Sequence, residues 1–444
     1  MIAGLRIVNT ASKQIQIKRN IAGCIKKRCC TLQIRCRELS SDANKKVKRS
    51  QVLLKVRLIY IYNIFCEIFQ SECQGRAAET NKKLPKQFKF MSVGHILLDH
   101  TARLPNSEIG ILKKFNAVEN TKGILDMKSL RELKKEACKR VKCVESPGGS
   151  ALNTVRLLTQ LGNNSLFIGL VGDDEAGKKL RKYFKEHNID VRLFTHKELP
   201  TGECLSIINK DTHTETLYAN IGASESISVE LMQQAEKEVQ FLRPTERKQL
   251  IYVEGFITPG RRKLCEYMIK NYVSGRRWLA LNLSAEFIVR ENFDDVMTYA
   301  CAAYFIFGNG NEFCALANRM GFGNDSEKAI RKLFDHHCGP RILIITNDKN
   351  SVLLVSNVEY GSAKPGKIFY RECKVDTIHN VVDTTGAGDS FVAGFLHAFL
   401  NNYKLKDCVA VGSAVAAKVI TTIGCDLPQD FNVNELTDKM TKMK

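Results

Sequence analysis

VVDTTGAGDSFVAGFLHAFL, residues 381–400, sets three small residues, Gly386, Ala387 and Gly388, between an acidic, hydroxyl-bearing turn and an apolar helix. Residues without obstructing side chains let consecutive backbone N–H groups converge on one anion. A helix opening there adds amides with no internal partner and a dipole that favours negative charge. Gly386, Ala387 and Gly388 therefore read as an anion hole for a phosphoryl group. Asp389 follows at the helix start, where a bound anion would repel a carboxylate. Such a carboxylate is useful if it takes a proton from an incoming hydroxyl. Phosphoryl transfer asks for an aligned nucleophile and stabilised charge more than for covalent help, so Asp389 reads as the catalytic base. The plainer alternative is a turn with Asp389 as a helix N-cap.

Outward from this run, strands are expected at 249–254 (QLIYVE), 278–283 (WLALNL), 303–307 (AYFIF), 341–346 (RILIIT) and 351–355 (SVLLV), with helices between most of them. Continuous apolar strands alternating with helices predict an α/β fold, a mostly parallel sheet covered on both faces. Ligands of such sheets bind beyond the carboxyl ends of the strands. Asn282, Ser284, Asn309, Glu312 and Thr346 all fall at predicted strand ends. The body opens near Lys89: FKFMSVGHILLDH reads as a strand running into a turn, with Asp99 just past its apolar end. An amphipathic helix follows over 127–142, then a turn at Pro147, Gly148 and Gly149, a helix from Ser150 and a strand over 166–171. Two polar, hairpin-like segments, about 100–146 and 197–223, read as a small β lid beside the main sheet.

Residues 1–90 hold 20 Lys and Arg against 5 Asp and Glu, leaving only +5 of the formal net charge of +20 to the other 354 residues. The basicity belongs to an N-terminal extension, 1–85, expected to be disordered, ahead of a folded domain over 86–444. That placement argues against nucleic acid as a partner of the body. A basic, acid-poor leader also suits mitochondrial targeting; with scarce serine and lysine at least equal to arginine, a cytoplasmic location, extending to the nucleus, is the expectation instead. Sixteen cysteines without metal-type spacing or a secretory signal predict free thiols in a reducing compartment. The apolar stretch 52–69 is interrupted by Lys55, Arg57 and Glu67 and falls short of the roughly 20 residues of a membrane span.

The full run, Asp383-Thr384-Thr385-Gly386-Ala387-Gly388-Asp389-Ser390-Phe391 followed by Ala393-Gly394-Phe395, resembles the second signature of the ribokinase-like (phosphofructokinase-B) family of carbohydrate and nucleoside kinases. The resemblance extends over about residues 88–430. It implies a ribokinase-like fold and an ATP-dependent kinase using Mg2+ on a small molecule, monomeric, with neither nucleic acid nor membrane as partner. In that family a glycine pair with a downstream Asn lies at the substrate pocket, and ESPGGSALNTVR offers Gly148, Gly149, Ser150 and Asn153. Asp99 in GHILLDH matches the family's acidic sugar ligand; a carboxylate can accept from two vicinal hydroxyls, as ribose presents them. FGNGNEF supplies Asn309 and Glu312, matching an Asn-x-x-Glu element that holds magnesium through water. Thr346 and Thr385 are implied to face ATP.

LNLSAEFI, residues 281–288, is similar to a segment of the family's adenosine-phosphorylating branch that many of its sugar kinases lack. TGECLSIIN and ANIGAS resemble that branch's lid strands, and YVEGFIT its apolar wall. The resemblance implies adenosine as acceptor, with Ile221, Ala223, Ile257 and Phe287 walling the purine. Several positions depart from the branch. His95 replaces a usual Asn, Thr385 stands where Asn is frequent, and Ile257 where an aromatic is common. Thr346-Asn347-Asp348 replaces Thr-x-Gly, and Asp348 would repel nearby phosphates. His95 and Ile257 leave a different nucleoside or a sugar open as acceptor. A nucleotide-binding protein without catalysis is the remaining alternative, against which an intact Asp389 and anion turn stand.

Overall fold

The computed structural model describes residues 88–212, 214–239, 248–274, 277–335, 339–347, 351–358, 365–375, 378, 380–428 and 430–437, all within the compact unit Asn63–Lys444. The expectations for 1–85 and for Asp348 lie outside the described residues.

Along the chain the strands are β1 (Phe90–Val93), β2 (Leu97–Leu104), β3 (Lys122–Ile124), β4 (Val144–Gly148), β5 (Ser165–Gly172), β6 (Val191–His196), β7 (Thr201–Asn209) and β8 (Glu215–Gly222). They continue as β9 (Gln249–Glu254), β10 (Arg277–Asn282), β11 (Phe305–Asn309), β12 (Ile342–Asn347), β13 (Ser351–Ser356) and β14 (Phe369–Lys374). The α-helices are α1 (Met127–Arg140), α2 (Ser150–Gln160), α3 (Glu175–Glu186), α4 (Val229–Glu238), α5 (Arg262–Tyr272) and α6 (Glu286–Glu291). After them come α7 (Phe293–Ala302), α8 (Gly310–Arg319), α9 (Ser326–Asp335), α10 (Ala387–Leu400), α11 (Leu405–Val419) and α12 (Val433–Thr437).

Nine strands form the main sheet in the order β14-β13-β12-β11-β10-β9-β1-β5-β6. From β6 through β12 all neighbours are parallel, as their continuous apolar runs predict. At the other edge β13 and β14 run antiparallel. Only residues 348–350 separate β12 from β13, too few for a parallel crossover, which takes a dozen or more. From β1 the chain moves to β5 and β6 on one side, then to β9 and onward on the other. That reversal beside β1 is the switch point, where ligands of open α/β sheets bind.

One face of the sheet is covered by α2, α3, α10 and α11, in a core that joins Phe167, Tyr252, Phe305 and Phe307 to Val155, Phe184, Phe395 and Val415. Every residue of α10 from Asp389 to Leu400 is buried, which is why this helix reads as apolar all round. Edge-to-face aromatic pairs, Phe305 with Phe399 at 4.7 Å and Phe307 with Phe395 at 5.3 Å, lock it to the strands. On the other side of the sheet α7 follows β10, and Arg341 is buried beneath it. The Arg341 guanidinium donates to the carbonyls of Ala300, Cys301, Ala303 and Leu333, satisfying helix-end acceptors that have no internal donor.

Segments from 97–148 and 201–222 make a separate five-stranded sheet, β3-β8-β7-β2-β4. One face of it, through Ala102, Leu104, Leu205, Ile207 and Tyr218, packs on α1 and a 3-10 helix, Asn106–Phe115. α1 stops at Arg140, two residues earlier than expected, and Val141 is extended. The turn that follows brings Cys138 and Cys143 to a Cα separation of 5.4 Å, within bridging range, and they form a disulfide. Free thiols were expected throughout; this pair departs from that, while the other described cysteines are free. No helix among the described residues is long and apolar enough to cross a membrane.

Candidate active site

Asp389 lies in the first turn of α10 and points inward. Its Oδ1 accepts from the Ser150 hydroxyl at 2.6 Å and its Oδ2 from Asn153 Nδ2 at 3.0 Å. Ser150 and Asn153 are one turn apart on α2, so they share a face. Burial raises the pKa of Asp389 above the ordinary carboxylate range, and these two donors pull it back down. The result is a carboxylate held in place and made more basic than one in water.

The turn before it is fixed from beneath. Gly386 adopts a left-handed conformation at φ 74°, and a side chain there would meet Cys425 Sγ at 2.3 Å. Asp383 is buried and works at both ends: Oδ1 accepts from the Thr385 amide and Oδ2 from the Gly424 amide, each at 2.9 Å. The expected cradle of three amides needs one correction. The Ala387 N–H turns back to the Thr384 carbonyl at 3.1 Å, closing a tight turn, and is not offered to a ligand. The amides of Gly386, Gly388 and Asp389 make no backbone hydrogen bond among the described residues. Gly388 is exposed, with nothing within 4 Å of where a Cβ would stand, so the cradle is open.

Gly149 is the N-cap of α2 at φ 109°, and a Cβ on it would meet the His95 carbonyl at 2.2 Å. Gly148 lies against Asp99: a Cβ there would fall 1.9 Å from the carboxyl group. The glycine pair therefore lets the Asp99 carboxylate lie flat over β4. Asp99 belongs to β2 itself, inside the second sheet, rather than to a turn beyond the first strand. Its pKa is raised to about 8, by burial first and then by Glu215, Asp389 and Asp383, against the lowering charge of Arg156. Its Oδ1 has no hydrogen-bond partner. Arg156, buried on α2, ties this corner together by donating to Pro147 O, Asn153 Oδ1, the Tyr183 hydroxyl and Asp426 Oδ2. Asp383 stood unassigned within the quoted motif, and nothing in the sequence distinguishes Arg156 from a surface arginine.

Strand register decides which side chains of the second sheet share the face of Asp99. Ser146, Asp99, Cys204, Ala219 and Ile124 align across β4, β2, β7, β8 and β3. Thr101, Ser206, Leu217 and Lys122 make the next row, and Arg103, Ile208 and Glu215 the row after. Glu215 links the second sheet to the turn before α10, because its Oε1 accepts from the Thr385 hydroxyl. Ile124 is 71% exposed on the same face as Asp99.

Asn309 and Glu312 come together as a capping box at the start of α8. The Asn309 side chain accepts from the Glu312 amide at 2.9 Å, and Glu312 Oε2 accepts from the Asn309 amide at 2.9 Å. Glu312 Oε1 also accepts a hydrogen bond from Asn309 Nδ2 at 3.1 Å, and burial lifts the Glu312 pKa to about 7. With both oxygens engaged, this pair suits a metal met through water rather than a direct ligand. Among the described residues no group of three His, Cys, Asp or Glu side chains is placed to hold a metal ion. Thr346 pairs with Asn309 across β12 and β11, so both stand at carboxyl ends of adjacent strands.

The expected purine wall divides. Ile221 and Phe287 keep accessible surface. Ala223 and Ile257 are 0% and 1% exposed and offer no surface to a ligand in this conformation. Both are packed in the core: Ala223 is tied by its amide to Pro200 O, and Ile257 lies in a 3-10 turn.

The model of the pfkB family carbohydrate kinases matches residues 121–432. Adenosine kinase from Schizophyllum commune is 27% identical over 349 residues, 76% of this chain and 96% of that protein. Adenosine kinase 1 from Arabidopsis thaliana is 25% identical over 298 residues, 64% of this chain and 82% of that protein. Among solved structures, Anopheles gambiae adenosine kinase in complex with P1,P4-di(adenosine-5) tetraphosphate superposes with a TM-score of 0.65 at 24% identity, covering 78% of this chain and 99% of that one.

Proposed function

The chain belongs to the pfkB family of carbohydrate kinases, and from that premise we propose that it transfers the γ-phosphoryl group of ATP to the 5′-hydroxyl of adenosine. The carrying observation is Asp389, buried and held by Ser150 and Asn153 beside an open turn of unpaired amides. The adenosine kinases that resemble the chain over most of its length support the choice of acceptor.

In this mechanism Asp389 accepts the hydroxyl proton as the acceptor oxygen forms its bond to phosphorus. The bond from phosphorus to the bridging oxygen breaks, and ADP leaves. The Gly386 and Gly388 amides and the start of α10 stabilise charge on the phosphoryl oxygens. Asp99 receives the vicinal ribose hydroxyls, and its unpartnered Oδ1 is the acceptor left for them. Ile124, Ile221 and Phe287 supply apolar surface for the base. Asn309 and Glu312 would hold a magnesium ion brought with the nucleotide, which would neutralise phosphate charge. The second sheet acts as a lid that excludes water from the transfer.

The test is ATP consumption by the full chain with a panel of nucleosides and sugars. Turnover with ribose or fructose but not adenosine moves the acceptor to a sugar, a reading that the carbohydrate-kinase family and His95 favour. Asp389→Asn is expected to lower kcat by about 10²–10⁴ while acceptor binding persists.

A further inference from the structure

We propose that Cys138 and Cys143 are a site of reversible oxidation, a thiol–disulfide pair whose state sets acceptor affinity; that effect rests on the kinase reading above. Cys138 is in the last turn of α1, and Cys143 is the residue before β4. Their Cα atoms are 5.4 Å apart and the bridge is closed. Among the described cysteines Cys138 alone is exposed, whereas Cys143 is half-buried against the core beneath the second sheet. A reagent in solution therefore reaches the pair through Cys138, and exposed disulfides are the labile ones. Three of the four residues between the two cysteines are cations, Lys139, Arg140 and Lys142. Glu136 and Glu108 engage the first two, which leaves Lys142 to favour the thiolate that exchanges.

A bridge this short does little for the whole fold. Loop-closure stabilisation grows with the number of residues enclosed, and four are enclosed here. Its effect falls on β4. That strand is at an edge of the second sheet and pairs with β2. Val144 at its start is 43% exposed, and Pro147 has no N–H to give. The Glu145–Lys179 ion pair on it is exposed and holds little. At its far end Gly148 lies against the Asp99 carboxyl group, and Gly149 caps α2, whose Ser150 bonds Asp389. Cys143 is thus five residues from the Asp99 contact. α1 is anchored under the sheet by Leu130, Leu133 and Ala137, so the closed bridge ties the start of β4 to a fixed body. Opening it frees that start, and the surface that Gly148 presents to Asp99 loosens.

Closure takes a low-molecular-weight disulfide as oxidant. The Cys138 thiolate attacks one of its sulfurs, forming a mixed disulfide and releasing one thiolate. The Cys143 thiolate then attacks the Cys138 sulfur, the mixed bond breaks, and a second thiolate leaves. Two protein thiols are oxidised, and the external disulfide is reduced to two thiols that take up the cysteine protons. The reverse sequence opens the bridge.

The experiment equilibrates the full chain in glutathione buffers from fully reduced to fully oxidised, and follows the pair by alkylation and peptide mass. The bridge is expected to open and close within that range. On opening, the KM for adenosine, or for the sugar turned over in its place, should rise about five- to tenfold, the lower part of the usual coupling between sites, with kcat changed less than about twofold. Cys138→Ser and Cys143→Ser should each show the high KM in every buffer and melt close to the reduced, unaltered protein. A KM response that survives in Cys138→Ser belongs to another cysteine and overturns the proposal. So does a KM that is the same in both states, or a pair that never changes state in these buffers. All three results leave the kinase reading intact. Absence of turnover with every acceptor, in either state, overturns both.

Discussion

Ser150, the first residue of α2, donates to Asp389 in the first turn of α10 at 2.6 Å across a sequence separation of 239. Two helices from distant parts of the chain thereby meet through one carboxylate. Asn153 completes the contact on the second oxygen. Burial favours the protonated form of Asp389 and the two donors favour the ionised form, so the pH at which it can act as a base depends on both.

Ser150→Ala removes one donor and leaves burial less opposed. The Asp389 pKa then rises, and because a base works only when unprotonated, the acid limb of kcat/KM moves to higher pH. A hydrogen bond to a charged group contributes about 1.5–3 kcal/mol, and each pKa unit is about 1.4 kcal/mol, so the shift is expected to be about one to two units. Activity at pH 6 should suffer more than activity at pH 8. An unshifted profile would show that the hydroxyl does not bond the ionised base in solution.

Asp99→Asn separates binding from stability. The folded pKa of Asp99 is raised to about 8. Below an unfolded pKa of about 3.9 both states are protonated and no penalty exists. Between there and about 8 the folded state holds a proton that the unfolded state has released, so stability falls with rising pH. Asparagine has no such charge, and the variant should unfold at a higher temperature than the unaltered protein at pH 9 and at a similar one near pH 4. It offers one acceptor where an ionised carboxylate offers two, so acceptor KM should rise about tenfold at pH 9. Melting curves and kinetics across pH check both signs.

The turn proposed to serve catalysis was legible as a motif because its residues are contiguous: Asp383 to Asp389 set a turn, three small residues and a carboxylate side by side at the start of α10. The parallel part of the sheet was legible because strands buried on both faces must be continuously apolar. What stayed hidden depends on register or on ambiguity. Glu215 reaches Thr385 only because β8 pairs with β7 in one phase, and a shift of one residue would turn it to the other face. Asn309-x-x-Glu312 spells a helix-capping box as well as it spells a magnesium element, and the structure shows the cap. Ala223 and Ile257 are apolar, which suits a pocket wall and a core equally. The Cys138–Cys143 bridge depends on how sharply the chain turns after α1, which spacing alone does not reveal.

Arg341 offers a test of the fold that leaves the site untouched. Its buried guanidinium serves four carbonyls and has its pKa lowered to about 10 by burial. Arg341→Ala leaves those carbonyls unpaired, and a buried polar group without a partner costs about 1–3 kcal/mol. The expected result is a large drop in the denaturant midpoint, with normal KM values for whatever fraction remains folded. A midpoint close to that of the unaltered protein would mean that water replaces the guanidinium at little cost.

His95 gives the sharpest separation of site from scaffold. It is buried, and its pKa is pushed down to about 3, by burial first and then by the Arg261 charge, so the ring is neutral across the working pH range. Its Nε2 is sealed from solvent without a hydrogen-bond partner. Its carbonyl lies against Gly149, and the next amide, that of Ile96, is held by Ser224. A buried polar atom without a partner costs about 1–3 kcal/mol, a strain that a nucleoside base could relieve on binding. His95→Leu removes the orphan atom. If His95 serves the ligand, the empty protein should melt higher while kcat/KM for adenosine falls by about ten- to a hundredfold, a change of about 1.4–2.7 kcal/mol in transition-state binding. Both effects should be the same at pH 6 and pH 8, since the ring does not titrate there. A variant that loses stability and keeps its kcat/KM would assign His95 to the scaffold, and base recognition would then rest on the apolar surface of Ile124, Ile221 and Phe287.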